Sequence, residues 1–431
     1  MACYLGIDFG TSGARAIAIN EQADVCAQVS DRFQALPPDQ WANHWQTILF
    51  QLIRQLPGAV RAQTQAIAIN GTSSTVLLCD RDGVPLDAPL LYNDDRGKTA
   101  LATLQALFTQ EPHDHAPGNA PGQANVMSAT SSLVKLLWWQ HQPVYARAQF
   151  FMHQADWLAF LLHGQPGISD YHNALKLGYD VTTLTYPDWF ESLQVMHLLP
   201  QVVTPGDAIA PIQPHLAADL GLPTDCMIHA GTTDSIAAFL ASGAKTPGEA
   251  VTSLGSTLVL KLLSETPVEN TSYGIYSHRL GDLWLVGGAS NTGGAVLQQF
   301  FSPAELADLS AQIPVQQESP LTYYPLVRPG ERFPNNDPDH LPQLVPRPAD
   351  PVAFLHGLLE SMARIEAQGY RLLQQLGATP LTHVYTAGGG ATNAAWTAIR
   401  DRQLGVPVIP SLHTEAAYGT AQLARQGHRT R

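Results

Sequence analysis

The opening of the chain, CYLGIDFGTSGARAIAIN, narrows the possible folds more than any other stretch. Residues 3–9 form a short apolar run, and residues 14–19 alternate small or apolar side chains around Arg15. Two such runs joined by Gly10-Thr11-Ser12-Gly13 predict a β-hairpin with a tight turn. The turn sets Asp8 at a strand end beside exposed backbone N–H groups. A carboxylate there can hold a divalent cation, and glycines let backbone donors approach a phosphate. The layout returns much later: EAVTSLGSTLVLKLL again reads strand, Gly-hydroxyl turn, strand. Setting SLGSTLVL against DFGTSGARAIAI suggests a degenerate internal duplication.

With 431 residues, 45% of them hydrophobic, the chain is too long for one ordinary domain and ample for two. A net charge of −13 without any basic stripe argues against a general nucleic-acid binder. Phosphate ligands remain open, because backbone donors and a metal can grip them locally. Cys3, Cys26, Cys79 and Cys226 form no CxxC pair and read as reduced thiols, mostly in the core, of a cytoplasmic protein. The start MACYLGIDFG has no basic n-region and carries Asp8, unlike a signal peptide. The most apolar span, AQFFMHQADWLAFLLHG, is broken by His153, Gln154 and Asp156, so no membrane partner is expected. Oligomeric state is left open.

Elements of both types alternate along the chain, which places it in the α/β class. VCAQVSDRF adds a third strand, and Trp41, Trp45, Ile48, Leu49 and Leu52 recur at helical spacing. QAIAINGTSSTVLLCDRDGVPL reads strand, turn, strand, EPHDHAPGNAPGQAN reads as loop, and SLVKLLWWQ and ADWLAFLLHG read as core helices. MIHAGTTDSIAAFLASGA is a strand, a polar turn and a small-residue helix, after which the composition shifts. GDLWLVGGASNTGGAVLQQFF gives strand, Gly-rich turn and helix. FLHGLLESMARIEAQGYRLLQQLG is the clearest amphipathic helix, with Gly377 as its C-terminal cap. HVYTAGGGATNAAWTAIRDRQLGVPVIP and a closing helix in TEAAYGTAQLAR complete the chain. The expected division is residues 1–241 plus 415–431 for one domain and 242–414 for the other.

Three Gly-rich turns each follow a strand: Gly10–Gly13, Gly255–Thr257 and Gly388–Gly390. Three in one chain, with an Asp at the first, suggest a clamp on a nucleoside triphosphate, since phosphoryl transfer asks mainly for positioning and charge neutralisation. No Gly-x-x-x-x-Gly-Lys-Ser/Thr is present, and the Asp-Phe-Gly at Asp8 stands at the wrong end for a protein kinase.

The set Asp8-Phe9-Gly10-Thr11-Ser12, Gly231-Thr232-Thr233-Asp234, Ser253-Leu254-Gly255-Ser256-Thr257 and Ala387-Gly388-Gly389-Gly390-Ala391-Thr392-Asn393 resembles the FGGY carbohydrate kinases of the actin-like ATPase superfamily. That resemblance implies two actin-like (ribonuclease H-like) α/β domains with an active-site cleft between them. Sugar would bind the first domain, and ATP with Mg²⁺ mainly the second. Asp234, by its residues alone a helix N-cap, becomes the general base that accepts the sugar hydroxyl's proton. Asp8 becomes the metal-organising carboxylate, and both acids would also touch substrate. Thr11, in any hairpin a turn former, becomes a hydroxyl contact to the transferred phosphoryl group.

Ser73 and Ser74 occupy the turn where relatives place sugar-contacting side chains. Xylulose kinases show Gln-Met-His there, and Thr72-Ser73-Ser74 departs from it toward a pocket of small hydroxyls. This favours D-ribulose over D-xylulose, with glycerol or another polyol next. The non-enzyme alternative is an ATP-binding actin-like regulator. Asp94 and Arg96 match the family's aromatic-x-Asp-x-Arg segment and read either as an ion pair that buttresses the site or as a structural one. Gly10, Thr11, Ser12, Gly255, Ser256 and Thr257 would meet the phosphates, as would Gly293 and Gly294. Gly389, Gly390, Asn393 and Trp396 would meet the adenosine, with Trp396 as a flat wall. His113 and His115 have no further ligands nearby and are not read as a metal site. Asp170, Asn173 and Asp180 read as turn and cap residues, Trp138 and Trp139 as core or domain-face anchors, and the Pro-rich 325–351 stretch as an exposed insertion.

Overall fold

The computed structural model of the chain describes residues 2–102, 104 and 127–429; the 111–125 stretch with His113 and His115 lies outside them. The described residues form two compact units. One comprises the chain up to Ala241 together with Glu415 onward, and the other is Ser242–Thr414.

The first unit is built on strands β1 (Cys3–Phe9), β2 (Gly13–Ile19), β3 (Val25–Arg32) and β4 (Thr64–Gly71). Short pairs β5 (Val76–Cys79) with β6 (Phe150–His153) and β7 (Ile168–Asp170) with β8 (Gln201–Val203) lie outside this sheet. It is completed by β9 (Ala208–Pro211), β10 (Met227–His229) and β11 (Thr232–Thr233). The order is β3-β2-β1-β4-β10-β9, and β11 also pairs with β4. β1 runs antiparallel to β2 and parallel to β4.

Central strands with a parallel neighbour are covered on both faces, which is why β1 is almost wholly apolar. Leu5, Ile7 and Phe9 point into a core shared with Trp45, Leu49 and Leu52 of helix Trp41–Gln55. Tyr4, Ile17 and Ile19 lie on the opposite face, under Ala417, Tyr418 and Ala421 of helix Ala416–Arg429. The burial pattern therefore follows the period of two that a strand imposes.

The second unit holds β12 (Glu249–Leu254), β13 (Leu258–Ser264), β14 (Tyr276–Leu280), β15 (Leu283–Ser290), β16 (His383–Ala387) and β17 (Val408–Pro410), in the order β14-β15-β13-β12-β16-β17. The directions repeat those of the first sheet: β12 is antiparallel to β13 and parallel to β16. Helix Pro351–Gln375 begins where Asp350 accepts from the N–H groups of Val352 and Ala353, with proline at its first position. Its apolar stripe, including Leu355, Leu358, Leu359 and Met362, closes the core. A buried ion pair joins that helix to helix Ala394–Leu404: Arg400 donates to Glu366 at 2.6 and 2.8 Å and to Thr386 Oγ1 at 2.7 Å. Thr252 of β12 donates to the same carboxylate at 2.5 Å.

The Pro-rich stretch is largely exposed, as expected, but it is tied down at a few buried positions. Phe333 is buried in the second core, and Glu331 accepts from Ser290 Oγ at 2.6 Å and from Asn291 N at 2.7 Å. The segment is irregular because its prolines preclude a ladder, yet side chains from it are anchored at the end of β15.

Candidate active site

The first unit gathers acidic and polar side chains at the ends of its central strands. Asp8 is the last residue but one of β1, opposite Arg15 on β2 and Asn70 on β4. Asn70 in turn stands opposite Thr232 on β11, so Arg15, Asp8, Asn70 and Thr232 form one row across the sheet. Asp234 follows two residues later, at the start of helix Asp234–Ser242. Gly231 lets this strand end come so close to β4: a Cβ there would lie 1.8 Å from the Ile69 carbonyl oxygen.

The electrostatics match that crowding. Asp8 Oδ1 is buried without a hydrogen-bond partner. Burial, and then the negative charge of Asp234, push the Asp8 carboxyl up to about 7, with Arg15 opposing. Arg15 is drawn the other way by its ion pair with Glu415. Asn70 donates to Thr420 Oγ1 at 2.6 Å and keeps its own Oδ1 unpartnered; Thr233 Oγ1 is also buried without a partner. Thr232 Oγ1 meets His172 Nδ1 at 2.7 Å. Asp234 Oδ1 accepts from Ser235 N at 2.6 Å. Buried polar atoms left unpaired in a native fold point to a missing ligand.

Thr11 and Ser12 are exposed on the hairpin turn, which is closed by Gly10 N donating to Gly13 O at 3.0 Å. The next turn, residues 72–75, splits the two sugar-contact candidates: Ser73 is half-buried, whereas Ser74 is buried with an unpartnered Oγ. Ser74 is also left-handed, at φ 65°. Thr72 N donates to Gln154 Oε1 at 3.0 Å, and the Thr72 and Thr75 hydroxyls meet at 2.5 Å. Asp94 and Arg96 form the expected ion pair, 2.8 Å, with the guanidinium 4.9 Å from the Trp138 ring centre. Asp170 caps its short helix by accepting from His172 N and Asn173 N. Sequence reasoning missed Lys135, which reaches this turn from helix Ser132–Gln140.

In the second unit the strand ends carry glycine turns that offer mainly backbone. The Gly255–Thr257 turn joins β12 to β13, and its carbonyls accept from Gly294 N at 2.8 Å and Ala295 N at 3.2 Å. Gly388 follows β16 at φ 84°, where a Cβ would come within 2.7 Å of the Leu254 carbonyl. Leu254 thus holds the glycine turns at one end of the sheet. Gly389 has open space around it.

One adenosine candidate is corrected here. Trp396 is 2% exposed and packs beneath Gly390 in the core, so it supports the turn from below and offers no wall to a base. Asn393, half-buried, caps its helix by accepting from Trp396 N at 3.0 Å and donates to Ser310 Oγ at 2.9 Å, which leaves one donor and one acceptor position of its amide open. The open space lies beside them instead: a cavity of about 500 Å³ lined by Gln316, Thr386, Ala391, Thr392, Thr397 and Asp401.

Among the described residues no group of three or more His, Cys, Asp or Glu could hold a metal by itself. A lone carboxylate suits Mg²⁺, which commonly takes one or two protein oxygens and completes its shell with substrate phosphates and water.

Comparison with known proteins bears on both halves. The profile of the FGGY family of carbohydrate kinases, N-terminal domain, matches residues 3–241, and that of the C-terminal domain matches residues 250–426. The chain is 25% identical to the xylulose kinase of Bacillus subtilis (strain 168), over 99% of its own length and 88% of the relative's. It superposes on a xylulose kinase from Brucella ovis with a TM-score of 0.85 at 23% identity, covering 100% of this chain and 91% of that one. A glycerol kinase from Plasmodium falciparum solved with ADP gives 0.83 at 18% identity, covering 100% and 90%. These likenesses bear out the expected two-domain, actin-like α/β fold.

Proposed function

Because this chain belongs to the FGGY family of carbohydrate kinases, and is therefore an ATP-dependent phosphotransferase acting on a small sugar, we propose that its acceptor is a small ketose, D-ribulose first. The terminal hydroxyl would be phosphorylated, giving D-ribulose 5-phosphate. The observation that carries the reading is that Asp8 on β1 and Asp234, just after β11, flank the end of β4 close enough for one charge to act on the other, while burial leaves Asp8 Oδ1 without a partner.

In this reading Asp234 accepts the proton of the acceptor hydroxyl as its oxygen bonds to the γ-phosphorus. The bond from that phosphorus to the β–γ bridging oxygen breaks, and ADP departs. Thr11 and the Gly10–Ser12 backbone donate to the transferred group, and Gly255, Ser256, Thr257 and Gly389 do the same for the phosphates left behind. Asp8 is the residue that would hold Mg²⁺, whose charge neutralises the phosphate oxygens. Ser73, half-buried, and Ser74 stand on the turn that would contact the sugar.

D-xylulose is the second reading, favoured by relatives that carry the name xylulose kinase. The deciding experiment is ADP release from MgATP with D-ribulose, D-xylulose, L-ribulose, D-ribose, glycerol or no sugar, with Asp234→Ala as control. Strong Asp234-dependent turnover of D-ribulose is expected. Preference for D-xylulose or glycerol would replace the substrate and keep the chemistry. ATP hydrolysis indifferent to every sugar would favour an actin-like regulator.

A further inference from the structure

Helix Ser132–Gln140 is buried along nearly its whole length, and in the middle of its apolar surface stands Lys135, with none of its surface exposed. A lysine in such a place is costly unless its donors are used. Among the described residues no carboxylate lies within ion-pair distance of it. Its Nζ donates to two backbone carbonyls, that of Ser74 at 2.7 Å and that of Leu91 at 2.6 Å.

Those two carbonyls belong to segments that meet only at their ends. Val76 and Leu90 exchange both backbone hydrogen bonds at 3.0 Å, and Tyr92 N donates to Thr75 Oγ1 at 3.0 Å. Beyond that ladder the 72–75 turn has no further backbone partner in the 90–92 segment, and Lys135 supplies the link. The turn needs one, because Ser74 is left-handed, a conformation that costs a non-glycine residue about 1 kcal/mol or more. The same residue presents the buried, unpartnered Oγ described above.

We infer that Lys135 is a positioning residue for the sugar: by clamping the Ser74 and Leu91 carbonyls together it fixes the left-handed turn that carries Ser73 and Ser74. This rests on the reading of residues 73 and 74 as sugar contacts. Burial brings the lysine down to about 7, against the charge of Asp94. A neutral amine still carries two N–H donors, one for each carbonyl, so the clamp persists with or without the third proton.

The test uses the full chain and whichever sugar the wild type turns over best. Lys135→Met keeps the apolar packing and removes both hydrogen bonds. Sugar KM should rise about fivefold, the worth of one sugar hydrogen bond lost with the turn's geometry, while MgATP KM stays within about twofold. Lys135→Arg, which restores N–H donors, should bring sugar KM back to within about threefold of wild type. Ser74→Ala added to Lys135→Met should cost less than about twofold more, because the hydroxyl is already misplaced.

A lysine that only fills space would lower Tm in Lys135→Met, leave sugar KM untouched and leave the Ser74→Ala effect at full size; that result overturns the inference. Should Lys135→Met not fold, Lys135→Gln, which cannot span both carbonyls, takes its place: a raised sugar KM supports the clamp and an unmoved one overturns it. A wild type that phosphorylates no sugar overturns the acceptor reading and this inference with it. An active wild type with an unmoved sugar KM in the folded variant overturns this inference alone.

Discussion

Asp8 and Ser253 occupy the same step of the same hairpin in the two units. Each stands two residues before a Gly-hydroxyl turn, Asp8 opposite Arg15 and Asn70, Ser253 opposite Val259 and Ala387. The first row is charged and polar, and the second is nearly bare. A carboxylate can take a proton or help hold a metal ion, whereas a bare glycine turn can offer only backbone donors. The two sheets therefore share a scaffold and differ in the chemistry of their strand ends. The second unit keeps its strongest charges, Glu366 and Arg400, fully paired in the core and away from the glycine turns. The first leaves Asp8, Asn70, Ser74 and Thr233 with unpartnered atoms around its strand ends.

That division of labour can be broken most sharply at Asp234. Asp234→Ala should lower kcat by about 10³-fold, with ATP affinity measured by calorimetry unchanged. An equal loss of ATP affinity would mean the carboxylate serves the nucleotide. Next in size is Gly389→Ala in the second unit. Nothing lies within 4 Å of the added methyl, so Tm should hold, while ATP KM rises about tenfold because the backbone no longer approaches the nucleotide. Sugar KM should not move.

Ser74→Ala is the counterpart in the first unit. It should raise sugar KM about fivefold, the worth of one hydrogen bond, and spare ATP KM. The smallest effect is on stability, in magnesium-free buffer. Asp8 holds its proton up to about 7 in the fold, against 3.8 for an ordinary Asp. The folded state therefore binds that proton more tightly than the unfolded chain does. Its stabilising effect is complete below pH 4 and is lost as pH rises to about 7. Asp8→Asn should melt a few degrees higher than wild type at pH 8 in a thermal scan, and the two should converge at pH 4.

Much of this was legible because the informative residues are local. The Gly-Thr-Thr-Asp string names its own glycine, and β1 with β2 is a hairpin whose partners are neighbours in sequence. The errors came where a side chain's partner is remote. Asn393 and Trp396 share a helix face, but only tertiary packing decides how deep each lies, and here Trp396 is buried in the core while Asn393 is half-buried at the helix start. Lys135 sits in an apolar string, and its acceptors are 61 and 44 residues away. Glu331 lies among prolines that carry no periodicity, 41 residues from the serine that holds it. The strand β14 escaped notice because Tyr276–Leu280 alternates weakly and pairs only at the sheet edge.

Helix Ala416–Arg429 returns to the first unit after the whole of the second has intervened, laying Ala417, Tyr418 and Ala421 over one face of β1, β2 and β4. On the ribosome that face of the sheet, with Tyr4, Ile17 and Ile19, stays uncovered until residues 416–429 have emerged. The described residues of the second unit run from Ser242 to Thr414, so all of its strands and helices are made earlier. Synthesis thus supplies the whole of the second unit before the helix that covers this face of the first sheet.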